Sequence, residues 1–570
     1  MTAVLRKTSK PHNAPDLSEF RKRYPLTVAN FGALANREAW LGRIWELDTA
    51  WQQTIERDKE AQQEEVIVRG APPSRLNIEA EFEIIYAGGS VGLLHAAVLA
   101  SRFNRRVMVF DSQTVGRTDR DWNISDEELR EFEHAGLFTK EEIEAAVINR
   151  YRSGFVKFHD AASRVKTPPL WMNGVLDVAL DADKLLALAR TKILANAPAS
   201  SLVDGSRFVR CYVQADRVVV EVEDTITGRH RLFGARLFID STGTNSVVAR
   251  QIGDGRSITH VCPTVGTVAR GFMRGAEPDR VDFGVGEILV SNEDASDHRQ
   301  LIWEGFAGSP LRDEYTTYLF FYDGINSPAD KSLLALFERY FESLPRYKRA
   351  GAQWRVMKPV FGYLPGAQHH HGWTTRQRTA DDRIMLIGET AGLSSPLTFG
   401  GFGTHVRNLR RLTHLTDLAL GADLLDAASL SEINAYEPRV AQMASLAEFM
   451  RPTSKSAPSA VNETLNAVMA ALHDLDERVR RELFQDRMTF NAFRNLLSRT
   501  AKLYPRIFQR AREHLGARGT FWWIANIAEV IVSERRERAI AETTAAEEQT
   551  ETAAQRFARH VRIYKTRPGA

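Results

Sequence analysis

The chain has 570 residues, of which 43% are hydrophobic and 26% are charged, values typical of a soluble globular protein. This composition excludes a disordered, a collagen-like and a disulfide-stapled chain, and the length predicts more than one domain because single cores stop growing near about 300 residues. The net charge of +3 gives no reason to expect nucleic acid as a partner. The two cysteines, Cys211 and Cys262, lack the CxxC spacing of zinc sites and are typical of a reducing compartment.

Residues 1–76 are predicted to form a helical segment that ends in a proline-containing linker. Its opening residues lack the apolar core of a secretory signal, which indicates a cytoplasmic location. Four apolar side chains recur further on at helical spacing and form one stripe: Trp40, Ile44, Leu47 and Trp51. We expect this stripe to pack against the main domain rather than to form a ligand site.

The next segment predicts a βαβ unit, with strands at residues 82–87 and 106–110 around a helix at 91–103. The turn before that helix, Ala87-Gly-Gly-Ser-Val-Gly92, is similar to the G-x-G-x-x-G fingerprint, with alanine at the first glycine position. Such a turn brings backbone close to a pyrophosphate at a helix N-terminus. A carboxylate at the end of the second strand would bind ribose hydroxyls. The candidate residues are Gly88, Gly89, Ser90, Gly92 and Asp111. The alternative is an ordinary turn in a parallel sheet.

Two later segments carry the same kind of turn. An apolar strand runs into Gly243, and another, residues 384–387, runs into a Gly-Glu pair and a glycine-rich helix start. Together with the first turn they resemble the FAD-binding domain of hydroxylase-type flavoproteins. That resemblance implies FAD as the cofactor, with the acid of the pair on the ribitol chain, although this chain has glutamate where aspartate is usual. The further candidates for FAD binding are Gly243, Gly388, Glu389, Gly392, Pro396, Gly400 and Gly401.

The pattern predicts an α/β fold, in which a Rossmann-like FAD-binding domain carries an inserted β-rich substrate domain and a helical C-terminal domain. The last residues are charged and poor in large apolar side chains, so we expect an exposed helix or a loose tail there. The predicted units are the FAD-binding domain at 77–200, 235–256 and 376–425, the β-rich domain at 201–234 and 257–375, the helical domain at 426–534 and the tail at 535–570.

Several stretches resemble a narrower family, the CruA/CruP-type lycopene cyclases. They are Arg120-Asp-Trp-Asn-Ile-Ser125, Cys262-Pro-Thr-Val-Gly-Thr-Val268, Ile302-Trp-Glu-Gly-Phe306 and Ser395-Pro-Leu-Thr-Phe-Gly-Gly-Phe-Gly403. The resemblance extends over residues 20–530. It implies ring closure of a carotenoid-like substrate with reduced FAD and no net redox change. The polar and aromatic residues from Arg120 to Asn123 predict a loop beside the cofactor, for which the alternative is an ordinary turn.

Such chemistry requires a proton donor that burial keeps neutral, and an apolar pocket. The candidate acid is Glu304, for which the alternative is a salt-bridged glutamate on an ordinary strand. The candidate pocket residues are Trp303, Phe399 and Phe402, and for the two phenylalanines the alternative is core packing. Because strand side chains alternate between faces, Trp303 and Glu304 line one wall only if a bulge intervenes.

Two other functions stay open. One is a redox flavoprotein, either a monooxygenase or a dehydrogenase; a halogenase is less favoured because the sequence lacks a Trp-x-Trp-x-Ile-Pro motif. The other is a flavin-binding protein without turnover. The histidines at 369–371 are interpreted as a solvated loop, so no metal site is predicted. Residues 520–532 form the longest apolar segment, which is too short to span a membrane. It predicts a buried helix or, alternatively, peripheral membrane contact. The oligomeric state is not predicted.

Overall fold

The computed structural model describes residues 14–59, 65–73, 77–118, 122–196, 199–253, 258–366, 378–392, 400–433, 447–541 and 552–566. Its strands in chain order are β1 Ile67–Arg69, β2 Ile78–Ala87, β3 Val107–Phe110, β4 Trp122–Ile124, β5 Val147–Arg150, β6 Ser153–Lys157, β7 Leu170–Met172, β8 Val178–Leu180, β9 Ser201–Val203, β10 Ser206–Val213, β11 Val218–Asp224, β12 His230–Asp240, β13 His260–Phe272, β14 Val285–Val290, β15 Ile302–Ala307, β16 Glu314–Phe320, β17 Asp323–Gly324, β18 Ala350–Gly366, β19 Ala380–Asp381 and β20 Ile384–Leu386. Its helices are α1 Leu17–Arg23, α2 Pro25–Asn30, α3 Arg37–Lys59, α4 Val91–Phe103, α5 Asp126–Leu129, α6 Glu131–His134, α7 Lys140–Ala146, α8 Ala182–Asn196, α9 Val247–Ile252, α10 Leu333–Tyr347, α11 Gly401–Ala422, α12 Ala427–Ile433, α13 Ala460–His473, α14 Glu477–Phe484, α15 Phe490–Leu503, α16 Ile507–Ala541 and α17 Ala553–Thr566.

The first sheet has the order β1-β10-β11-β12-β2-β3-β9, with β20 beside β12 and β19 beside β20. Five of its strands run parallel to one another: β9, β3, β2, the end of β12 and β20. Helix α4 connects β2 to β3 and is buried on every side over residues 92–100, as expected for a helix that is apolar all round. The predicted βαβ unit is therefore confirmed.

The second sheet has the order β17-β13-β16-β15-β14-β6-β7, with β18 paired to β13. Helix α10 packs on this sheet through apolar side chains spaced three and four residues apart: Phe337, Tyr340, Phe341 and Leu344. A small third sheet, β4-β8-β5, contributes residues to both hydrophobic cores.

Two predicted domain boundaries are wrong. Residues 201–234, assigned to the β-rich domain, form strands of the first sheet. β12 runs without a break from its hairpin with β11 to its parallel partners β2 and β20, so the whole hairpin stays with that sheet. Conversely, β6 and β7 lie within 77–200 but belong to the second sheet, because β6 pairs with β14 about 130 residues later in the chain.

The N-terminal segment packs on the second sheet as predicted. Ile44 is fully buried, and Trp51 stacks on Tyr363 of β18 at a ring-centroid distance of 4.7 Å. Asp48 accepts hydrogen bonds from the backbone N–H of Leu333, at 2.8 Å, and from the hydroxyl of Tyr363, at 2.7 Å. Its carboxylate therefore caps helix α10, so α3 is part of the domain rather than an appendage.

The described part of the predicted tail is a helix, as one of the two expectations had it, but this helix is docked rather than exposed. Helix α17 buries Phe557, Val561 and Tyr564, spaced four and three residues apart, in the core of the first sheet's domain. The Tyr564 hydroxyl lies 2.8 Å from Nδ1 of His414 in α11. Few apolar residues suffice because their spacing places them on one helix face. Among the described residues, no helix has both the length and the apolar character that a membrane span requires.

Candidate functional site

The first glycine turn lies where β2 ends, at Ala87. Gly88 has a φ of +104°, and a Cβ there would lie 2.6 Å from the carbonyl oxygen of Ser241, so this position requires glycine. The N–H of Gly88 donates to the carbonyl of Phe110 at 2.9 Å. The N–H of Gly89 donates to Oδ2 of Asp111 at 2.8 Å. The structure therefore brings the predicted Asp111 carboxylate to the glycine turn.

The second turn, at residues 241–243 directly after β12, lies against the first. The Ser241 hydroxyl donates to the carbonyl of Ala87 at 2.7 Å. A Cβ on Gly92 would collide with this same hydroxyl, so the absent side chain lets helix α4 approach the end of β12. This is the close helix–strand packing that the third fingerprint glycine provides.

The third turn, at residues 388–392 after β20, is hydrogen-bonded to the second. The N–H of Gly243 donates to Oγ1 of Thr390 at 2.7 Å, and the N–H of Ile387 donates to the carbonyl of Asp240 at 3.1 Å. Burial raises the pKa of Asp240, whose carboxylate accepts from the backbone and hydroxyl of Thr242 at 2.9 and 2.7 Å. A buried carboxylate thus holds the second turn in place.

The third turn also meets the first. Gly388 has a φ of +62°, and a Cβ there would lie 3.3 Å from Cγ1 of Val91, the first residue of α4, and 3.7 Å from Nδ1 of His405 in α11. Three turns that lie about 150 residues apart in sequence therefore converge at the start of α4.

The remaining predicted cofactor residues lie along the third turn and the start of α11. Glu389 is half-buried in the short 3₁₀ helix Gly388–Ala391, which ends at Gly392, and Gly400 and Gly401 begin α11. The predicted residues Arg120, Pro396 and Phe399 and the histidines at 369–371 lie outside the described residues.

The donors at this junction fit a dinucleotide. Ser90 and Gly400 precede α4 and α11, and neither makes a side-chain capping hydrogen bond. The first N–H groups of a helix have no acceptor within that helix, so these two helix starts offer donors and positive dipole ends to phosphate and carbonyl oxygens. A Cβ on Gly243 would meet no atom of the described residues within 4 Å. Asp111 supplies an acceptor for hydroxyls.

Phe402 lies in the first turn of α11. Its ring stacks on Trp122 of β4 at a centroid distance of 4.1 Å and an interplanar angle of 20°. A neighbouring residue of the same strand, Asn123, accepts a hydrogen bond from the Tyr151 hydroxyl at 3.3 Å. β4 therefore connects the glycine-rich helix start to the β-rich domain.

Glu304 lies in β15 and is 7% exposed. Among the described residues, its Oε1 atom has no hydrogen-bond partner, and burial raises the pKa of its carboxyl to about 8. The salt-bridged alternative therefore does not apply to this atom. Burial raises the pKa of the Cys262 thiol on β13, and the charge of Glu304 contributes to that rise.

Trp303 does not share a wall with Glu304. It packs against helix α10, stacked on Tyr347 at 4.5 Å and tilted against Tyr340 at 5.3 Å. The register of β15 with β16 is regular, without a bulge, so Glu304 points to the opposite face. Trp303 is thus a core residue between sheet and helix, and its prediction as a pocket residue is not supported.

The Glu304 face is linked to the cofactor-side residues. Phe306, two residues on and hence on the same face, has its ring 6.0 Å from that of Tyr151. The Tyr151 hydroxyl donates to the carbonyl of Ala307 at 2.7 Å and reaches Asn123 of β4. Tyr151 therefore connects β15, which carries Glu304, to β4, whose Trp122 stacks on Phe402 at the start of α11.

Two buried histidines at the junction were missed. His95 of α4 shares a hydrogen bond of 2.8 Å with the Tyr86 hydroxyl, and burial lowers its pKa to about 3. His405 of α11 has its pKa lowered to about 4, also by burial. Among the described residues, the Nε2 atoms of both have no partner. No spacing signals them, because a single histidine in an apolar helix is ordinarily a core residue.

No protein family model and no curated protein matches this chain. A geranylgeranyl bacteriochlorophyll reductase-like protein from Thermoplasma acidophilum is 13% identical, with a TM-score of 0.53 over 76% of this chain and 99% of that chain. The halogenase PltM in complex with phloroglucinol and FAD is 15% identical, with a TM-score of 0.51 over 85% and 95% of the two chains. These similarities show the α/β FAD-binding Rossmann-like fold with a β-rich half-barrel substrate domain and a helical C-terminal region. The predicted fold class is confirmed.

Proposed function

We propose that the protein is an FAD-dependent enzyme that acts on a long apolar substrate, with ring closure of the lycopene cyclase type as its reaction. The three converging turns support FAD binding, because they present two uncapped helix starts and the Asp111 carboxylate at one junction. Gly88 and Gly89 would let the backbone come close to the pyrophosphate, and the N–H groups of Ser90 and Gly92 at the start of α4 would bind it. Gly243 and the third turn would contact the ribitol chain and the ring system.

The observation that carries the reaction type is the state of Glu304. Its carboxyl is buried, has one oxygen without a partner and has a pKa of about 8, so it holds its proton at neutral pH. A neutral acid in an apolar wall is suited to protonate an alkene. Protonation of the terminal alkene generates a carbocation, and the π electrons of a second alkene then form the ring C–C bond and move the positive charge. A proton leaves a carbon next to the new cation and a double bond forms, so no electrons are gained or lost overall.

The chemistry that a bound, reduced FAD supplies is negative charge beside a developing carbocation. Around it, aromatic residues of this chain would exclude water and face the cation. Phe306 lies on the Glu304 face, and Trp122 and Phe402 stack at the start of α11. Aromatic faces stabilise a neighbouring cation by about 0.5–2 kcal/mol each.

The first experiment is to denature the purified protein and identify the released chromophore, which we expect to be FAD. The reduced protein is then incubated with lycopene in liposomes, and cyclic products are separated by chromatography. Glu304→Gln should lower the rate of ring closure by about 10²–10⁴. Glu314→Gln, which alters a glutamate paired with Arg270 and Arg312, should not. Absence of a cyclic product, or full activity of the Glu304 variant, would refute the proposed reaction while leaving FAD binding intact.

The second candidate is a redox flavoprotein, favoured by the fold shared with a halogenase and a reductase-like protein. NAD(P)H oxidation separates the two functions. A monooxygenase or reductase consumes the nucleotide in proportion to product, whereas a cyclase does not consume it stoichiometrically.

A further inference from the structure

Helix α16 exposes an apolar stripe in its second half. Gly516, with a φ of +62°, interrupts the helix, and exposed apolar residues follow at spacings of four, three, four and four: Ala517, Phe521, Ile524, Ala528 and Val532. The three large side chains are 49%, 58% and 46% exposed, in chain order. The stripe extends about 22 Å along the helix.

The other face of this helix is fixed to the domain. Val530 is 1% exposed, and Trp523 meets Phe493 of α15 edge to face at 5.9 Å. Ile527 packs against the core of the second sheet. The stripe is therefore presented on a docked helix, and its exposure does not reflect a helix that has failed to pack.

Positive charge flanks the stripe. Between residues 519 and 532 the sequence has one charged residue, whereas residues 502–538 contain eight lysines and arginines against four acids. Arg512 and Arg535 are exposed before and after the stripe. The acids nearest to them are engaged, since Glu513 accepts from Arg510 and Glu534 accepts from the N–H of Phe490.

We propose that this stripe binds the surface of an anionic lipid bilayer, with the helix lying in the plane of the headgroups. An apolar helix face between basic residues matches that boundary, because the apolar side chains enter the acyl region while arginines contact lipid phosphates. A second copy of the chain fits less well. Since both ends of the stripe carry an exposed arginine, either helix orientation would bring like charges together.

The proposal goes beyond the enzymatic function, because it needs neither flavin nor turnover. If the protein acts on apolar substrates, bilayer binding would place it at the membrane in which such substrates dissolve.

The test is flotation of the purified full-length protein with phosphatidylcholine vesicles, with and without about one-third phosphatidylglycerol. We expect the protein to float with the anionic vesicles and to be partly released by salt. Ile524→Glu combined with Val532→Glu should lower the bound-to-free ratio by at least about tenfold, since each change removes an aliphatic side chain that would enter the acyl region. Ile226→Glu is the matched control, because Ile226 is 81% exposed in a hairpin turn of the first sheet.

Binding should survive in the Ile226 variant. Failure of the wild type to float with anionic vesicles would overturn the proposal, as would equal losses in both variants. Gel filtration tests whether a second copy of the chain, rather than a bilayer, covers the stripe. A wild-type dimer that becomes a monomer in the Ile524/Val532 variant would identify a second copy as the occupant and refute bilayer binding.

Discussion

Replacing Gly92 by alanine tests whether the first and second turns are held together as the structure shows. The new methyl group would collide with the Ser241 hydroxyl, which cannot turn away without losing its 2.7 Å bond to the carbonyl of Ala87. Overpacking of this kind costs about 1–3 kcal/mol, and the lost hydrogen bond adds about 1 kcal/mol. We therefore expect a loss of about 2–4 kcal/mol, localised in the domain of the first sheet.

Flavin fluorescence on heating measures this loss, because FAD is quenched in most proteins and brightens on release. The release temperature should fall by at least about 4 °C in Gly92→Ala. Ser241→Ala combined with Gly92→Ala should recover part of it, since the nearest remaining contact is then the Ser241 Cβ at 3.1 Å. Gly362→Ala is the control, because a Cβ there would meet no atom within 4 Å in the part of the chain that the structure describes. If Gly92→Ala releases flavin at the same temperature as the control, the packing argument is wrong.

Three further changes have defined outcomes. Burial raises the pKa of Glu304 from 4.5 to about 8 on folding. The contribution of its neutral carboxyl to the free energy of unfolding is therefore full below pH 4.5 and is lost as the pH rises to about 8. Glu304→Gln should abolish this pH dependence, measured by urea titrations at several pH values. Asp48→Ala removes the acceptor for the Leu333 N–H and should lower the free energy of unfolding by about 2–4 kcal/mol, and an unchanged urea midpoint would show that α3 is not integral. Tyr564→Phe deletes the bond to His414 and should cost about 1 kcal/mol, seen as faster proteolysis near residue 553, whereas an unchanged rate would contradict the docking of α17.

The local parts of the fold could be predicted from sequence because their signals are local. The glycine turn, the flanking apolar strand and the helix up to residue 103 follow from spacing alone. Sheet membership could not be predicted in the same way. The pairing of β6 with β14 depends on residues about 130 positions apart, and no pattern within either strand encodes it.

The site residues that could be predicted are likewise those whose signal is local in the sequence. Gly88, Gly92 and Asp111 could be found because backbone geometry restricts which residues fit there. Strand alternation predicts that Trp303 points away from Glu304. Which of these two side chains points toward the site depends on the position of α10, against which Trp303 packs. The buried pair His95 and His405 could not be found, since it arises only where α4 and α11 meet.

The docking of α17 on the first sheet's domain has a consequence for synthesis of the chain. β2 and β3 emerge from the ribosome more than 400 residues before Phe557, Val561 and Tyr564, which complete their hydrophobic core. At about 5–20 residues per second, the nascent domain waits on the order of half a minute or more for its last helix. During that interval its incomplete apolar surface is available to chaperones, and ribosomes stalled before residue 553 would hold this domain unfinished.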